Sequence, residues 1–191
     1  MKTFLFIVVL SLAGACAFCQ KTVSIMVDPA SSLNIHGKTN INKFLCAQCE
    51  TLDKDTVEIT MTNEDKVVHL TNASLKIRVK DFDCGINQMT REFRELLQAD
   101  DHPYLRMILE TIEPIGDGKF IANIAIVLAG VKSGYRIPVE VHDDERTLIC
   151  SGKSQVSFVD FNLEPPVKFM GMVKVNEMLD ISFNLIIRKI I

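Results

Sequence analysis

Along most of the chain, apolar and polar residues take turns. Val57, Ile59 and Met61 alternate with Glu58, Thr60 and Thr62, and Leu75, Ile77 and Val79 with Lys76, Arg78 and Lys80. Tyr135, Ile137, Val139 and Val141 stand against Arg136, Pro138, Glu140 and His142. Leu179, Ile181, Phe183, Leu185 and Ile187 alternate with Asp180, Ser182 and Asn184, less cleanly at Ile186 and Arg188. A period of two predicts strands with one buried and one wet face, the habit of antiparallel sheets. Asn63-Glu64-Asp65, Gly116-Asp117-Gly118, Ser133-Gly134, His142-Asp143-Asp144 and Pro165-Pro166 supply turn signals between the runs. Strands so spaced predict a sandwich or a barrel.

One segment breaks the rule. After Cys84-Gly85, Met89, Phe93, Leu96 and Leu97 recur at helical spacing, while Arg91, Glu92, Arg94 and Glu95 face elsewhere. This predicts a short amphipathic helix near residues 87–98, with Asn87 as N-cap and His102-Pro103 as stop. Its apolar stripe is expected to cover the open end or edge of the sheet. Phe120–Leu128 is apolar in both phases. That fits a strand covered on both faces, or one touching a ligand inside and the helix or a partner outside. No repeat or linker divides the chain, so a single domain is expected.

The start of the chain changes the picture. Lys2 precedes an apolar run, Phe4 to Ala13, followed by small residues Gly14 to Ala17, the layout of a secretory signal peptide. Residues 1–19 are assigned to it, with the cut after Cys19, leaving a domain of residues 20–191. Leu12-Ala13-Gly14-Ala15-Cys16 offers a second reading as a lipobox, with its Leu one residue too far upstream. Cleavage lowers Lys+Arg from 21 to 20 against 24 Asp+Glu, a net charge of −4. That balance gives no reason to expect nucleic acid or an anionic membrane surface as partner. No later apolar run has the length of a membrane helix. An outer-membrane barrel would need aromatic girdles, and the chain has two Tyr and no Trp. A periplasmic or secreted protein without an integral membrane segment is expected.

Export also governs the cysteines. Cys46, Cys49, Cys84 and Cys150 remain, and in an oxidising compartment they point to disulfides, with three pairings open. Cys46-Ala47-Gln48-Cys49 is the single CxxC after residue 19, so four zinc ligands do not assemble, and no metal is expected. Cys84 sits between a strand and a helix, where a nucleophile would profit from the helix dipole. Asp81 and Asp83 flank it, however, and negative charge raises a thiol pKa. Cys84 is therefore read as a structural joint, and no catalytic residue is assigned. His36 and His102 are read as turn residues; Asp100-Asp101 and Asp143-Asp144-Glu145 are read as solvated loop charges.

Residues 31–46 (SSLNIHGKTNINKFLC), 75–85 (LKIRVKDFDCG) with 89–105, 128–141 (LAGVKSGYRIPVEV) and 159–185 stand in an order and spacing that resembles the YceI-like domain family. More narrowly, they resemble its secreted Bacteroidetes-type branch, over nearly all of residues 23–187. The resemblance implies an all-β fold with one helix: an extended, antiparallel, lipocalin-like β-barrel of about eight strands. It also implies a non-enzymatic protein that needs no cofactor and holds a polyisoprenoid or other apolar or amphiphilic lipid inside the barrel. Such a barrel has room for side chains or one slender ligand. The residues expected to line it are Leu33, Ile35, Phe44, Leu75, Ile77, Val79, Phe93, Ile124, Ile126, Val139, Phe158 and Phe183. The branch further implies a Cys46–Cys84 bridge. Cys150, in phase with Leu148 and Val156, is expected to point inward, free or paired with Cys49. The alternative is a barrel filled by its own large side chains, an interaction module that forms a homodimer through an exposed Phe120–Leu128 strand.

Overall fold

The structure is a computed structural model that describes residues 20–49, 56–64, 66–168 and 172–190. Residues 1–19, the expected signal peptide, therefore lie outside the described residues, as does Asp65 of the first turn signal.

In chain order the strands are β1 (Gln20–Val27), β2 (Ser32–Lys38), β3 (Lys43–Gln48), β4 (Thr56–Glu64), β5 (Val67–Thr71), β6 (Ser74–Arg78) and β7 (Phe82–Asp83). The helix α1 (Asn87–Leu96) follows, then β8 (Tyr104–Gly116), β9 (Lys119–Leu128), β10 (Val131–Asp144), β11 (Thr147–Ser157), β12 (Val167–Lys168), β13 (Val173–Lys174) and β14 (Met178–Ile190). The order β1-β4-β5-β8-β9-β10-β11-β14 runs antiparallel throughout, and β14 pairs again with β1. Eight strands thus form a closed ring with the lipocalin-like fold expected from the sequence. The ring is extended because two of its walls bend and continue. β2 follows β1 along β14, and β6 follows β5 along β8. β3 and β7 pair beside β2 at the same end.

Local chemistry explains the bends. Between β1 and β2 the buried Asp28 accepts the Ala30 N–H at 2.9 Å, and its carboxylate meets Arg188 at 2.5 Å. Between β5 and β6, Asn72 takes φ 64°, the left-handed region that asparagine tolerates better than most residues. The β8–β9 hairpin turns at Asp117-Gly118, both at positive φ, as its sequence signal predicts. The next turn differs from the expectation. Ser133-Gly134 lies inside β10, opposite Ile126 and Ala125, and the chain reverses instead at Ala129-Gly130. Gly130 has φ 76°, and a Cβ there would sit 2.9 Å from the His102 ring, so only glycine fits.

The helix begins one residue away from its expected cap. Ile86 is the N-cap residue and no side chain caps the helix, so Asn87 is already helical. Order at this junction comes from Thr90. Its buried hydroxyl accepts the Cys84 N–H at 2.9 Å and donates to Asp83 at 3.0 Å, while Asp83 also takes the Gly85 N–H at 2.7 Å. α1 buries Phe93 edge-on against Phe82, ring centroids 5.8 Å apart. A 3-10 turn, Val159–Phe161, joins the same core through Phe158, Phe161 and Leu163. Along β9, Ile124, Ile126 and Leu128 are buried inward, whereas Ala125 is buried on the outer face with Ile121 and Val127 half-covered beside it. None of the strand's large apolar side chains is fully exposed, and those on its outer face are half-covered.

Candidate functional site: an apolar cavity in the barrel

Strand register brings the inward side chains together at the end of the ring covered by α1. On β2 and β14, Leu33 pairs with Phe183 and Ile35 with Ile181. On β11 and β14, Ser154 pairs with Ile181 and Val156 with Leu179. Met107 of β8 faces Ile126 of β9. Phe93 and, just beyond the helix, Leu97 complete the wall. These residues surround an apolar cavity of about 50 Å³. On this scale one water occupies about 10–15 Å³, so the space corresponds to about four waters or a short stretch of hydrocarbon. With polar partners scarce, water gains little there, and each methylene buried contributes about 0.8 kcal/mol.

Of the residues expected to line the barrel, the structure places Leu33, Ile35, Phe93, Ile126 and Phe183 on the cavity wall. Ile77, Val79, Ile124 and Val139 are buried in the surrounding core, with Leu75 half-buried against it. Phe44 and Phe158 face a different hollow, a groove beside α1 shared with Met89, Phe93 and Pro166. Phe44 is drawn aside by Gly37: a Cβ on that glycine would lie 2.0 Å from the phenyl ring. The wall also includes Phe82, Leu97, Leu105, Met107, Leu128, Ile137, Ser154, Val156, Leu179 and Ile181. Ile137, Leu179 and Ile181 belong to alternating runs visible in the sequence. The inward role of a serine carried no signal of its own.

Cys46 and Cys84 form a disulfide, tying β3 to the residue after β7 beside the buried Phe82. The other two cysteines among the described residues do not pair: Cys49 is exposed and Cys150 partly buried, both free. Burial pushes the Cys150 thiol up, and the Asp143 charge adds to the effect, the reverse of an activated nucleophile. Asp83 is held below the ordinary carboxylate range by the Gly85 N–H and then by Thr90. Among the described residues no three His, Cys, Asp or Glu side chains converge to hold a metal ion.

Tyr135 has a distinct place. Its phenol donates to Asp160 at 2.6 Å, and its ring lies against Phe161 at 6.2 Å. The side chain thereby fastens β10 to the turn that follows β11. Burial, with the Asp160 carboxylate next, pushes its pKa up to about 12.

No protein-family model and no curated protein matches the chain. Solved structures do. BcnA of Burkholderia cenocepacia superposes with a TM-score of 0.64 at 18% identity, over 84% of this chain and 98% of its own. A polyisoprenoid binding domain from Saccharophagus degradans, implicated in plant cell wall breakdown, gives 0.62 at 12% identity, over 88% and 99%. The chain has the YceI fold. The Campylobacter jejuni YceI protein shares it at 11% identity and a TM-score of 0.53, over 100% of this chain and 94% of that one. At such identities the likeness is one of architecture: the same extended ring of strands built from different side chains.

Proposed function

We propose that this YceI-fold protein is an exported, non-enzymatic binding protein. It holds the tail of an apolar or amphiphilic molecule, a polyisoprenoid or another single-chain lipid, inside its barrel. The observation that carries this reading is the cavity, walled by inward side chains of β2, β8, β9, β10, β11 and β14 and closed by Phe93 and Leu97. A neighbour with the same fold is a polyisoprenoid binding domain, which supports the ligand class. The sequence of residues 1–19 and the Cys46–Cys84 disulfide support a periplasmic or secreted location.

The cavity is small, and that favours a limited form of the reading. A tail longer than a few methylenes must displace side chains, and Met107 is the adaptable one on the wall. Solvent extraction of protein purified from its native host, followed by mass spectrometry, is expected to release a stoichiometric long-chain lipid. An empty protein that also fails to take up an added apolar chain would leave the filled-barrel alternative standing.

A further inference from the structure

The ring of strands has a weak seam. β10 and β11 pair from Asp144↔Thr147 down to Val139↔Gly152, and the ladder stops there. The next residue on β10, Pro138, has no N–H to donate. Below it β10 stays bonded to β9 and β11 to β14, but not to each other. Tyr135 and Asp160 fasten the far end of the split. Between the two fastenings, Ile137 and Ser154 take the place of a ladder, and both line the cavity. A groove runs across the outer face from Pro138, and Ser154 and Ile181 contribute to it as well as to the cavity. Its rim carries Lys38, Lys43 and Lys153, with His36 beside them. The acid there, Asp180, is already held by Lys38 at 3.0 Å and by the Gln155 amide at 2.8 Å. Lys43 and Lys153 make no ion pair among the described residues. The groove is thus cationic on a chain whose net charge is −3.

We propose that the seam below Pro138 is a side mouth of the barrel, and that the lysine rim outside it holds the anionic head group of a single-chain amphiphile. The tail passes Ser154 into the cavity, with Ile137 as the displaceable stopper. Side chains alone close the seam, so opening it breaks no backbone hydrogen bond. The competing mouth is the groove beside α1, where Phe93 stands between groove and cavity. No lysine or arginine lines that groove among the described residues, whereas three lysines line the one outside the seam.

This inference rests on the barrel binding an apolar tail, and the test separates the two. Delipidated protein is titrated with C16 probes of identical tail: hexadecanol, hexadecanoate and hexadecyl phosphate, read by displacement of an apolar dye. The anionic probes are expected to bind at least tenfold more tightly than the alcohol, and the stronger of them identifies the head as carboxylate or phosphate. In Lys43→Gln/Lys153→Gln that preference should fall to within threefold, with alcohol affinity unchanged. Ser154→Phe should slow uptake of all probes at least tenfold while the far-UV spectrum stays the same. Equal binding of all three heads overturns the lysine rim but leaves the barrel reading intact. Uptake slowed by no Ser154 variant but accelerated by Phe93→Ala places the mouth beside α1 and overturns the seam. No binding of any probe removes both.

Discussion

Gly37 has no side chain because Phe44 occupies the place one would take. Gly37→Ala puts a methyl 2.0 Å from the ring and should cost about 1–3 kcal/mol, the usual range for overpacking. Phe44→Ala removes the obstruction, so the double variant should be more stable than the two single losses summed. Urea denaturation of all four chains checks this, and strict additivity would mean the contact is absent. Tyr135 makes a prediction in pH. Its phenol keeps its proton up to about 12 in the folded chain, against an ordinary value near 10. A group whose pKa folding raises stabilises fully below the unfolded value and loses that contribution as pH climbs through the folded one. Stability should therefore decline between pH 10 and 12, and Tyr135→Phe should flatten that part of the curve and delete an absorbance transition of tyrosinate near pH 12. Neither residue could be assigned from the sequence. Gly37 stands in an alternating strand like any other position, and Asp160 lies 25 residues from Tyr135.

Among the elements, the junction of β7 with α1 is the most constrained. Helix spacing at Met89, Phe93, Leu96 and Leu97 was legible, because a stripe of apolar residues three and four apart has only one regular conformation that gathers it. The start was not. Thr90 acts through Cys84 and Asp83, partners fixed by the turn at Gly85 and not by a capping pattern. Thr90→Val keeps the shape but leaves the Cys84 N–H unpaired and should cost about 1–3 kcal/mol by urea titration. The disulfide closes a loop of 38 residues, and the chain-entropy relation gives roughly 4 kcal/mol for it. In a chain beginning at Gln20, thiol titration without reductant should find one reactive group in the native state, the exposed Cys49, and two after denaturation. Four thiols would remove the bridge. Cys150 in the native protein should react only above the ordinary thiol range, because burial holds its proton.

At the scale of the whole molecule, eight strands must gather their apolar faces around one axis, and a ring of that number leaves little free interior. The residual space is set by a balance: Phe183 reaches over Gly152, while Ser154 leaves room beside it. Ile126→Ala enlarges that space and should cost about 2–5 kcal/mol. If the barrel holds hydrocarbon, dodecanol at saturating concentration should return part of this loss, by about 2.7 kcal/mol at a hundred times its dissociation constant. Thermal unfolding with and without the alcohol measures the return, and no shift would mean that the enlarged interior admits no tail.

The sequence by itself determined the alternating strands, the single helix, the inward phase of Leu179 to Ile187 and, through a family likeness, the bridge between Cys46 and Cys84. These are properties of one segment at a time, or of a pattern shared with other chains, and local sterics and burial fix them. Only the tertiary structure decided which inward residues share a cavity, where Thr90 and Tyr135 find partners, and that the β10–β11 ladder ends beside Pro138. Those depend on register and closure, which bring together residues far apart in the chain whose local preferences say nothing of one another.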